Sequence, residues 1–595
     1  MTDDHPPAPG QSSGADARAA GPDAGGPGPA GLPSPDVEAE WSRAVKILDG
    51  ATEICLACHV RPDGDALGSL LAVAHALRAR HGAGPAGPAP GDGTGPRDGT
   101  AGPPPAVRIV ASFGDLPFEI PRILRFLPGA DLLSPPDAVP ERPQVMVTFD
   151  AASADRLGVL ETRACRADEL IVLDHHASNT RFGTVNLVDP AAAATAVLAF
   201  DLIRRLDVEI SRDIALGLYA GLVTDTGSFK YSTTSPRVHQ LAARLLQTGI
   251  EPGVVAHALR ARQAAGRNGT AQQDGTAQQD GTARLDGTTG QAPPAARIVA
   301  SFGDLPFEIP RILRFLPGAD LLSPPDAVPE RPQVMVTFDA ASADRLGILE
   351  ARAGRADELI VLDHHASNTR FGTVNLIDPA AAATAVLAFD LIRRMGVDIS
   401  RDIALGLYAG LVTDTGSFKY SSTSPRVHQL AAQLLQTGIE PGVVAHELWD
   451  RSPFGFLGVL SAALGRAQLE PAGAAGHGLV WTTVTRGDRA AYGLPLEVAE
   501  SIIDVVRRAD EADVAVVLKE DDDGCWQVSA RSKGRADVGR ACVALGGGGH
   551  ALAAGFTARG TAAEVMTALR EKLATGPGAP GQGVAGVTSA PDAGR

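Results

Sequence analysis

Short runs of hydrophobic residues alternate along the chain with longer stretches in which hydrophobic residues recur at helical spacing. The short runs EICLACHV, RIVASF, VMVTFD and LIVLDHH each predict a buried strand. The helical patterns include residues 66–80, AAAATAVLAFDLIRRL and DIALGLYAGLVTDTG. Strands that alternate with helices predict an α/β fold with a mostly parallel sheet covered on both faces. Such a sheet binds ligands beyond the carboxyl ends of its strands.

A long segment of the chain occurs twice. Arg108–Leu259 recurs as Arg297–Leu448 with about ten substitutions. The junctions carry the similar stretches VAHALRARHGAG, VAHALRARQAAG and VAHELWDRSPFG, and we infer that a crossover between VAHAL and VAHEL inserted the extra unit. EICLACHV and the turn that follows it occur only once, so the second unit has no copy of them.

Composition and the repeat together predict six segments. Gly, Pro and Ala dominate both ends of the chain, and polar residues with Gly fill the stretch between the units, as is typical of disordered tails and flexible linkers. The second unit lacks the innermost strand, so we expect exposed sheet edges that favour a domain-swapped oligomer or aggregation. The predicted segments are a disordered tail at 1–36, a first α/β unit at 37–260, a flexible linker at 261–296, a duplicated partial unit at 297–448, a smaller α/β domain at 449–575 and a disordered tail at 576–595.

Composition and charge narrow the classes of partner. The 595-residue chain has a formal net charge of −16, which disfavours a protein that grips long nucleic acid through a basic surface. No apolar run is long enough to span a bilayer, and the first residues lack the basic head and apolar core of a secretory signal. We therefore expect a cytoplasmic protein that takes a short phosphorylated substrate and contacts neither long nucleic acid nor a membrane.

The stretch ICLACHVRPDGD leaves two interpretations of His59. Cys55, Cys58 and His59 form the C-x-x-C-H pattern of haem attachment, whereas the overlapping H-x3-D-x-D has the spacing of metal ligands. Haem attachment requires an exported protein, and only five cysteines occur in the chain. We interpret the two cysteines as small residues buried in a strand, which favours a metal-ligand role for His59.

Acidic and histidine residues follow the predicted strands at their carboxyl ends. One such Asp usually caps a helix, but a series of them at one sheet edge suits hard to borderline divalent ions such as Mn²⁺. Asp63 and Asp65 lie two apart on a tight turn, so their carboxylates diverge toward two neighbouring ions, which Asp150 is placed to bridge. A water shared by the two ions would be the nucleophile. The candidate residues are His59, Asp63, Asp65, Asp150, Asp174, His175, His176 and Asp225.

The smaller domain carries a second candidate site. DVAVVLKE and CWQVSARS alternate like strands, and the glycine-rich stretch GGGGH follows. Glycines let backbone N–H groups approach a phosphate closely. We expect this domain to face the metal ligands across a cleft that holds a substrate a few nucleotides long. Its candidate substrate-binding residues are Arg531, Ser532, Gly547, Gly548, Gly549 and His550.

These motifs resemble those of a known family. HVRPDGD, VTFDAAS, LDHHASN and VTDTGSF resemble the four motifs of the DHH phosphoesterases, and GGGGHALAAGF resembles the signature of their DHH-associated C-terminal domain. Within the family the chain is most similar to the nanoRNase branch, which trims short oligoribonucleotides to mononucleotides and removes the 3′-phosphate of adenosine 3′,5′-bisphosphate. The resemblance implies a hydrolase with two Mn²⁺ ions, with Mg²⁺ or Co²⁺ as alternatives.

The resemblance also implies the role of each residue. Asp174 and His176 would orient ligands and meet the phosphate, so they join Asp150 as catalytic candidates. The implied ligands are His59 and Asp63 for one ion, Asp65, His175 and Asp225 for the other, and Asp150 for both.

The duplicated unit repeats only the later motifs. At most one complete site can therefore form per chain, and we expect it in the first unit because N-terminal units fold first during synthesis. The second-unit equivalents are Asp339, Asp363, His364, His365 and Asp414.

Other functions stay open from the sequence. The same metal centre would serve a cyclic or linear dinucleotide phosphodiesterase, and the duplication would also be compatible with a catalytically impaired binding protein. An inorganic pyrophosphatase uses a DHH centre too, but the glycine-rich stretch before His550 speaks against it. The expected partners are short RNA oligonucleotides or a nucleotide bisphosphate, together with a second copy of the chain in a homodimer or domain-swapped oligomer.

Overall fold

Three stretches of the chain, residues 35–82, 107–260 and 297–574, are described by a computed structural model. Nearly all of the predicted N-terminal tail, the predicted linker at 261–296 and the predicted C-terminal tail lie outside the described residues. Within the described stretches, no helix has the length and apolar character needed to cross a membrane.

The first unit contains a five-stranded sheet flanked by helices. Its elements are α1 (Pro35–Gly50), β1 (Glu53–Cys58), α2 (Gly64–His81), β2 (Arg108–Phe113), β3 (Val145–Phe149), α3 (Glu161–Ala164), β4 (Glu169–Asp174), β5 (Val185–Val188), α4 (Thr195–Arg205), α5 (Arg212–Asp225), α6 (Pro236–Leu246) and α7 (Pro252–Arg260), with 3-10 turns at Arg122–Leu124, Ala130–Leu132, Pro136–Ala138 and Ala154–Leu160. The strand order is β2-β1-β3-β4-β5, and every neighbouring pair is parallel. This confirms the predicted α/β class with a mostly parallel sheet.

Strand β1 is an inner strand of this sheet, and both of its faces are buried. Ile54 and Leu56 pack into the core beneath α2 and α5, whereas Cys55 and Ala57 pack into a separate core on the other face. Helix α2 begins after Asp63, whose carboxylate accepts hydrogen bonds from two backbone N–H groups of the first turn. It crosses α5 closely, and a Cβ at Gly217 would lie 2.6 Å from the carbonyl oxygen of Gly68.

The second unit keeps the later elements of the first. Its elements are β6 (Val334–Phe338), α8 (Glu350–Ala353), β7 (Glu358–Asp363), β8 (Val374–Ile377), α9 (Thr384–Arg394), α10 (Arg401–Asp414), α11 (Pro425–Leu435) and α12 (Pro441–Ala445), with 3-10 turns at Arg311–Leu313, Ala319–Leu321, Pro325–Ala327 and Ala343–Leu349 and a π-helical turn at His446–Asp450. The strands form a three-stranded parallel sheet in the order β6-β7-β8.

The missing β1 changes the structure of identical sequence in the second unit. RIVASF forms β2 in the first unit, where β1 pairs with it, but the same letters from Arg297 form only an isolated bridge at Ala300. Strand β6 becomes an edge, and Val334, Val336 and Phe338 are 54%, 40% and 55% exposed. Their equivalents in β3 are at most 2% exposed. Because burying a Val or Phe contributes about 1.5–3 kcal/mol, we expect the sheet of the second unit to be less stable than that of the first.

The two units pack against each other through equivalent surfaces. Phe229 meets its equivalent Phe418 with ring centroids 5.6 Å apart, and Ser417 Oγ donates to the carbonyl oxygen of Ser228 at 3.0 Å. Helices α6 and α11 form the contact, and apolar residues of both units belong to one continuous core. Contacts between equivalent residues are the mark of a two-fold arrangement, so the chain folds as an internal pseudo-dimer.

The C-terminal domain is a smaller α/β unit with its own core. Its elements are α13 (Gly455–Gly465), β9 (Gln468–Glu470), α14 (Gly473–Gly476), β10 (Leu479–Val484), α15 (Arg486–Ala490), a 3-10 turn (Leu496–Ala499), α16 (Ile502–Val506), β11 (Val514–Glu520), β12 (Trp526–Ser532), α17 (Val538–Val543), β13 (Gly548–His550), β14 (Ala553–Ala558) and α18 (Ala562–Ala574). The six strands run in the order β13-β14-β12-β11-β10-β9, with β10 and β11 parallel and the other pairs antiparallel. Two apolar clusters cover the two faces of this sheet.

Two buried histidines lie at the centre of the contact between the units. Nδ1 of His239 lies 2.8 Å from Nδ1 of His428, and both side chains are fully buried. One nitrogen must donate and the other accept, so the pair cannot carry two charges. Burial lowers the pKa of His239 to about 3, and burial also holds the pKa of His428 well below its ordinary value.

Acidification is expected to destabilise this contact. The unfolded chain takes up protons on these imidazoles below about pH 6.5, whereas the folded chain does not. Proton uptake therefore stabilises the unfolded state relative to the folded state as the pH falls. The free energy of unfolding should drop by up to about 1.4 kcal/mol per pH unit for each histidine between about pH 6.5 and the lowered pKa. Denaturant unfolding at several pH values measures the slope. The double variant His239→Phe/His428→Phe should flatten it and the exposed-site control His446→Gln should not; an unchanged slope in the double variant would contradict the assignment.

Candidate metal centre

Six polar side chains meet at the carboxyl end of the first unit's sheet. They come from the ends of β1, β3, β4 and α5 and from the turn that opens α2. Their ligand atoms fall into two groups that share one residue, and within each group the atoms lie within 4.8 Å of one another. The groups are His59, Asp63 and Asp150, and Asp65, Asp150, His175 and Asp225. These are the two sets that the family resemblance implies, and their role as ligands stays a prediction.

Asp150 occupies the shared position, and its two oxygens face different histidines. Oδ2 lies 3.4 Å from Nε2 of His59, and Oδ1 lies 3.4 Å from Nε2 of His175. The backbone of Asp150 has φ of 58°, a left-handed conformation that aspartate tolerates better than most residues. The hydroxyl of Thr195 donates to Oδ1 at 2.9 Å. Asp150 is therefore held with its carboxylate directed between the two groups.

Asp65 is fixed by the start of α4. Its carboxylate accepts hydrogen bonds from the backbone N–H groups of Thr195 at 2.6 Å and Ala196 at 2.9 Å, and from Ser69 Oγ at 3.2 Å. Gly221 leaves room for this carboxylate, since a Cβ on Gly221 would lie 2.5 Å from Asp65 Oδ1. A fully buried carboxylate with fixed orientation is well placed as a ligand.

The charges of the site are strongly coupled. Burial raises the pKa of Asp65 well above its usual value, and the facing carboxylates of Asp225 and Asp150 add to the rise. Burial opposes the charged form of His175, but hydrogen bonds to Asp150 and Asp225 outweigh it and raise its pKa to about 11. The pKa of Asp150 stays below its ordinary value because hydrogen bonds with His175 and His59 outweigh its burial. This concentration of negative charge favours the binding of positive charge.

Asp174 and His176 form a separate pair beside the six side chains. Nδ1 of His176 lies 2.7 Å from Asp174 Oδ1, and Asn179 Nδ2 donates to Oδ2 at 2.6 Å. Asp174 is fully buried, whereas the side chain of His176 is 44% exposed. The carboxylate therefore fixes the imidazole and leaves Nε2 directed to the open side.

Sequence reasoning missed two residues that support this site. Thr195 holds Asp150, and Asn179 holds Asp174. The sequence offered two signals: a lone hydroxyl where an apolar helix begins, and an amide five residues after the Asp of LDHHASN. The buried thiols of Cys55 and Cys58 take no part in this site, and burial raises the pKa of both.

Comparison with known proteins decides the family. Residues 53–222 match the family model for the N-terminal domain of the DHH family, and residues 490–575 match the family model for the DHHA1 domain. The bifunctional oligoribonuclease and PAP phosphatase NrnA of Thermus thermophilus is 32% identical over 273 residues, covering 44% of this chain and 78% of that protein. The chain belongs to the DHH family. It is a hydrolase that acts on phosphate esters.

More distant DHH proteins are also similar. The bifunctional oligoribonuclease and PAP phosphatase NrnA of Bacillus subtilis is 23% identical over 225 residues, covering 37% of this chain and 69% of that protein. An exopolyphosphatase-related protein from Bacteroides fragilis aligns over 90% of this chain and 96% of its own, with 14% identity and a TM-score of 0.27. A likeness at that TM-score carries no information on function.

The second DHH unit holds an incomplete set of the same residues. Asp339 Oδ1 lies 3.5 Å from Nε2 of His364, which lies 3.6 Å from Asp414 Oδ2. Asp363 pairs with His365 at 2.7 Å, as Asp174 does with His176. The side chain of Asp339 is 53% exposed, against 4% for Asp150, because no β1 or α2 covers it. This unit cannot assemble the two groups found in the first.

The candidate substrate residues of the DHHA1 domain share one end of its sheet. Arg531 and His550 both pair in register with Ala553 from opposite sides, which directs their side chains to the same face. Gly549 has φ of 131°, and a Cβ on Gly547 would meet the backbone of Gly555, so the stretch requires glycines. Ser532 differs from its neighbours, since it is buried and its hydroxyl donates to Asp513 at 2.9 Å.

Among the described residues, the side chains of this domain contact the second unit. The ring of His550 stacks on His365 with centroids 4.4 Å apart and lies 5.0 Å from His364. Nη1 of Arg507 donates to the hydroxyl of Tyr420 at 3.3 Å. The expected cleft between this domain and the complete set of ligands therefore does not form within the described residues, because the domain follows the second unit directly in the chain.

The residues of the first unit fit a pair of divalent cations. Four carboxylates and two imidazoles are the donor types that Mn²⁺ accepts. Nδ1 of His59 lies 2.9 Å from the Val60 carbonyl oxygen, and Nδ1 of His175 lies 3.3 Å from that of Ala192, which leaves Nε2 of each ring for a cation. DHH proteins depend on metal ions, and this donor set is compatible with that chemistry.

A substitution at Gly221 is expected to disturb the centre. Gly221→Ala would place a methyl group against Asp65 Oδ1 and 2.7 Å from Ala196 Cβ, and would push the carboxylate off the start of α4. We expect Mn²⁺ affinity to fall at least about tenfold and the free energy of unfolding to fall by about 1–3 kcal/mol. Isothermal titration and denaturant unfolding measure the two effects.

Gly410 is the matched control. It is the equivalent position of the second unit, where the nearest atom to a Cβ is Ala385 Cβ at 3.2 Å. Gly410→Ala should leave Mn²⁺ affinity unchanged and alter stability by no more than about 1 kcal/mol. Equal effects of the two substitutions would show that Gly221 has no special relation to the centre.

Proposed function

We propose that this chain is a Mn²⁺-dependent phosphoesterase that hydrolyses short oligoribonucleotides to mononucleotides and removes the 3′-phosphate of adenosine 3′,5′-bisphosphate. The observation that carries the proposal is the meeting of two ligand groups on the shared Asp150 at the carboxyl end of the first unit's sheet. Mg²⁺ or Co²⁺ would suit the same donors.

The side chains of the centre would have different roles in such a reaction. His59 and Asp63 would hold one cation, Asp150 would bridge, and the remaining group would hold the second. Bound cations would supply charge against the phosphoryl oxygens and lower the pKa of an attacking water. The hydrogen bond to Asp174 raises the pKa of His176, and in its protonated form this imidazole would donate from Nε2 to the phosphate.

The choice of substrate rests on similarity and on charge. Three similar proteins, from Thermus thermophilus, Bacillus subtilis and Streptococcus mutans, are named as oligoribonucleases and PAP phosphatases. A formal net charge of −16 offers little attraction to a long polyanion. Arg531 and His550 offer donors for a few phosphates. A short substrate bound mainly by its phosphates suits these features.

The test is hydrolysis of a two- to five-nucleotide RNA and of adenosine 3′,5′-bisphosphate by the full chain. We expect Mn²⁺-dependent release of mononucleotide or phosphate that chelation abolishes, because the carboxylates cannot activate water without cations. The double variant His59→Ala/Asp63→Ala should lose at least about a thousandfold in rate, the scale of a lost charge-stabilising group.

Asp168→Ala is the control, because Asp168 pairs with Arg142 on the surface far from the ligands. It should keep full activity. A linear dinucleotide such as pGpG and a long RNA complete the panel. Activity that survives chelation, or that prefers the long RNA, would contradict the proposal.

A further inference from the structure

We propose that the DHHA1 domain of a second copy of the chain closes over the metal centre of the first unit, so that each working site is formed by two chains. This inference rests on the proposed function and adds the partner that completes its site. In one chain the complete ligand set and the substrate-binding domain lie on different units. A site that needs both is therefore incomplete without another DHHA1 domain.

The first unit carries an exposed copy of the surface that this domain covers on the second. In the second unit the domain contacts Tyr420 through Arg507, and Gly548 lies against Arg345. The equivalents in the first unit are Tyr231 and Arg156, and neither position differs between the units. Tyr231 is 57% exposed.

The histidines show the same contrast. His365 lies under the ring of His550, and its side chain is 17% exposed. Its equivalent His176 is 44% exposed. Since these contacting residues are the same in both units, a DHHA1 domain can make the same contacts on the first unit. The second unit binds a DHHA1 domain at this surface, so a DHHA1 domain is also the expected occupant of the equivalent open surface on the first unit.

The chain's own domain is poorly placed to reach the first unit. Only Arg451–Phe454 separate the π-helical turn of the second unit from α13, and four residues span at most about 14 Å. The domain's attachment to the second unit is nonetheless weak, because its apolar clusters contain no residue of either unit among those described. A domain held by a few polar and ring contacts can exchange between chains at low cost.

A reciprocal exchange between two chains satisfies both first units. Each chain would place its DHHA1 domain on the other's complete centre, which gives a closed two-fold dimer with two working sites. Arg531 and His550 of the partner subunit would then face His175 and His176. The second units would then carry no DHHA1 domain and would serve only as the packing partners of the first units.

Mixing two inactive full-length variants tests the proposal. Asp150→Asn removes the bridging carboxylate, and His550→Ala removes an exposed side chain of the substrate-binding stretch. Each alone should have a few per cent of wild-type activity or less. An equimolar mixture should recover about a quarter of it, because half of random dimers are mixed and each mixed dimer has one intact site. Light scattering should show a dimer, and activity per chain should fall on dilution.

Two controls fix the interpretation. Asp150→Asn mixed with Asp150→Asn/His550→Ala should stay inactive. Asp339→Asn alone should stay active, because the second unit's carboxylate is outside the proposed centre.

The outcomes separate the possible failures. Recovery in the mixture supports the exchange. An active wild type with no recovery would mean that each chain completes its own site, and an active Asp150→Asn with an inactive Asp339→Asn would place catalysis on the second unit; either result overturns the inference. An inactive wild type would instead refute the proposed function.

A matched pair of tyrosines gives a second readout. Tyr231→Ala should raise the chain concentration that gives half-maximal activity by at least about fivefold, as expected for a buried interface aromatic. Tyr420→Ala should not raise it, because it weakens only the contact with the second unit. Equal shifts in the two variants would overturn the inference.

Discussion

The burial of one strand and one helix decides which of two nearly identical units can hold a metal centre. The segment of strand β1 and helix α2 carries His59, Asp63 and Asp65, and it also supplies an inner strand of the first unit's sheet and the helix that packs on α5. The chain contains this segment once, but the sequence that packs against it in the first unit occurs twice. Fold and candidate chemistry are therefore coupled, because the unit that contains the segment has both a closed core and a complete set of candidate ligands.

Most of the first unit could be predicted from sequence because its signals are local. Buried strands followed by Asp or His give both the α/β class and the residues that meet at the sheet edge. Asp63 illustrates the limit of single-residue reasoning, since its carboxylate caps α2 and also lies in a ligand group.

Features that depend on long-range contacts could not be predicted. RIVASF is a strand where β1 lies beside it and is not one from Arg297, although the letters are identical. The position of His550 over the second unit follows from chain connectivity, which motif spacing does not reveal. Ser532 follows Arg531 at the end of β12, yet it packs inward on Asp513, because successive residues of a strand point to opposite faces. Local pattern identifies the residues, and tertiary contacts decide which of them meet.

The duplication divides the parts of one site between two units. The first unit has the complete set of candidate ligands and an exposed Tyr231. The second unit has the covering domain and an incomplete set of candidate ligands. Helices α6 and α11, with His239 and His428 buried between them, pack the two units into one body. Under the proposed exchange, the cleft between the ligands and the DHHA1 domain would lie between two chains.

Anomalous diffraction at the manganese edge, from crystals of the full chain grown with Mn²⁺, tests the central claim most directly. The account predicts two peaks in the first unit, about 3.5–4 Å apart, with Asp150 between them. No such pair should occur beside Asp339. A pair of peaks in the second unit, or none in the first, would contradict the account.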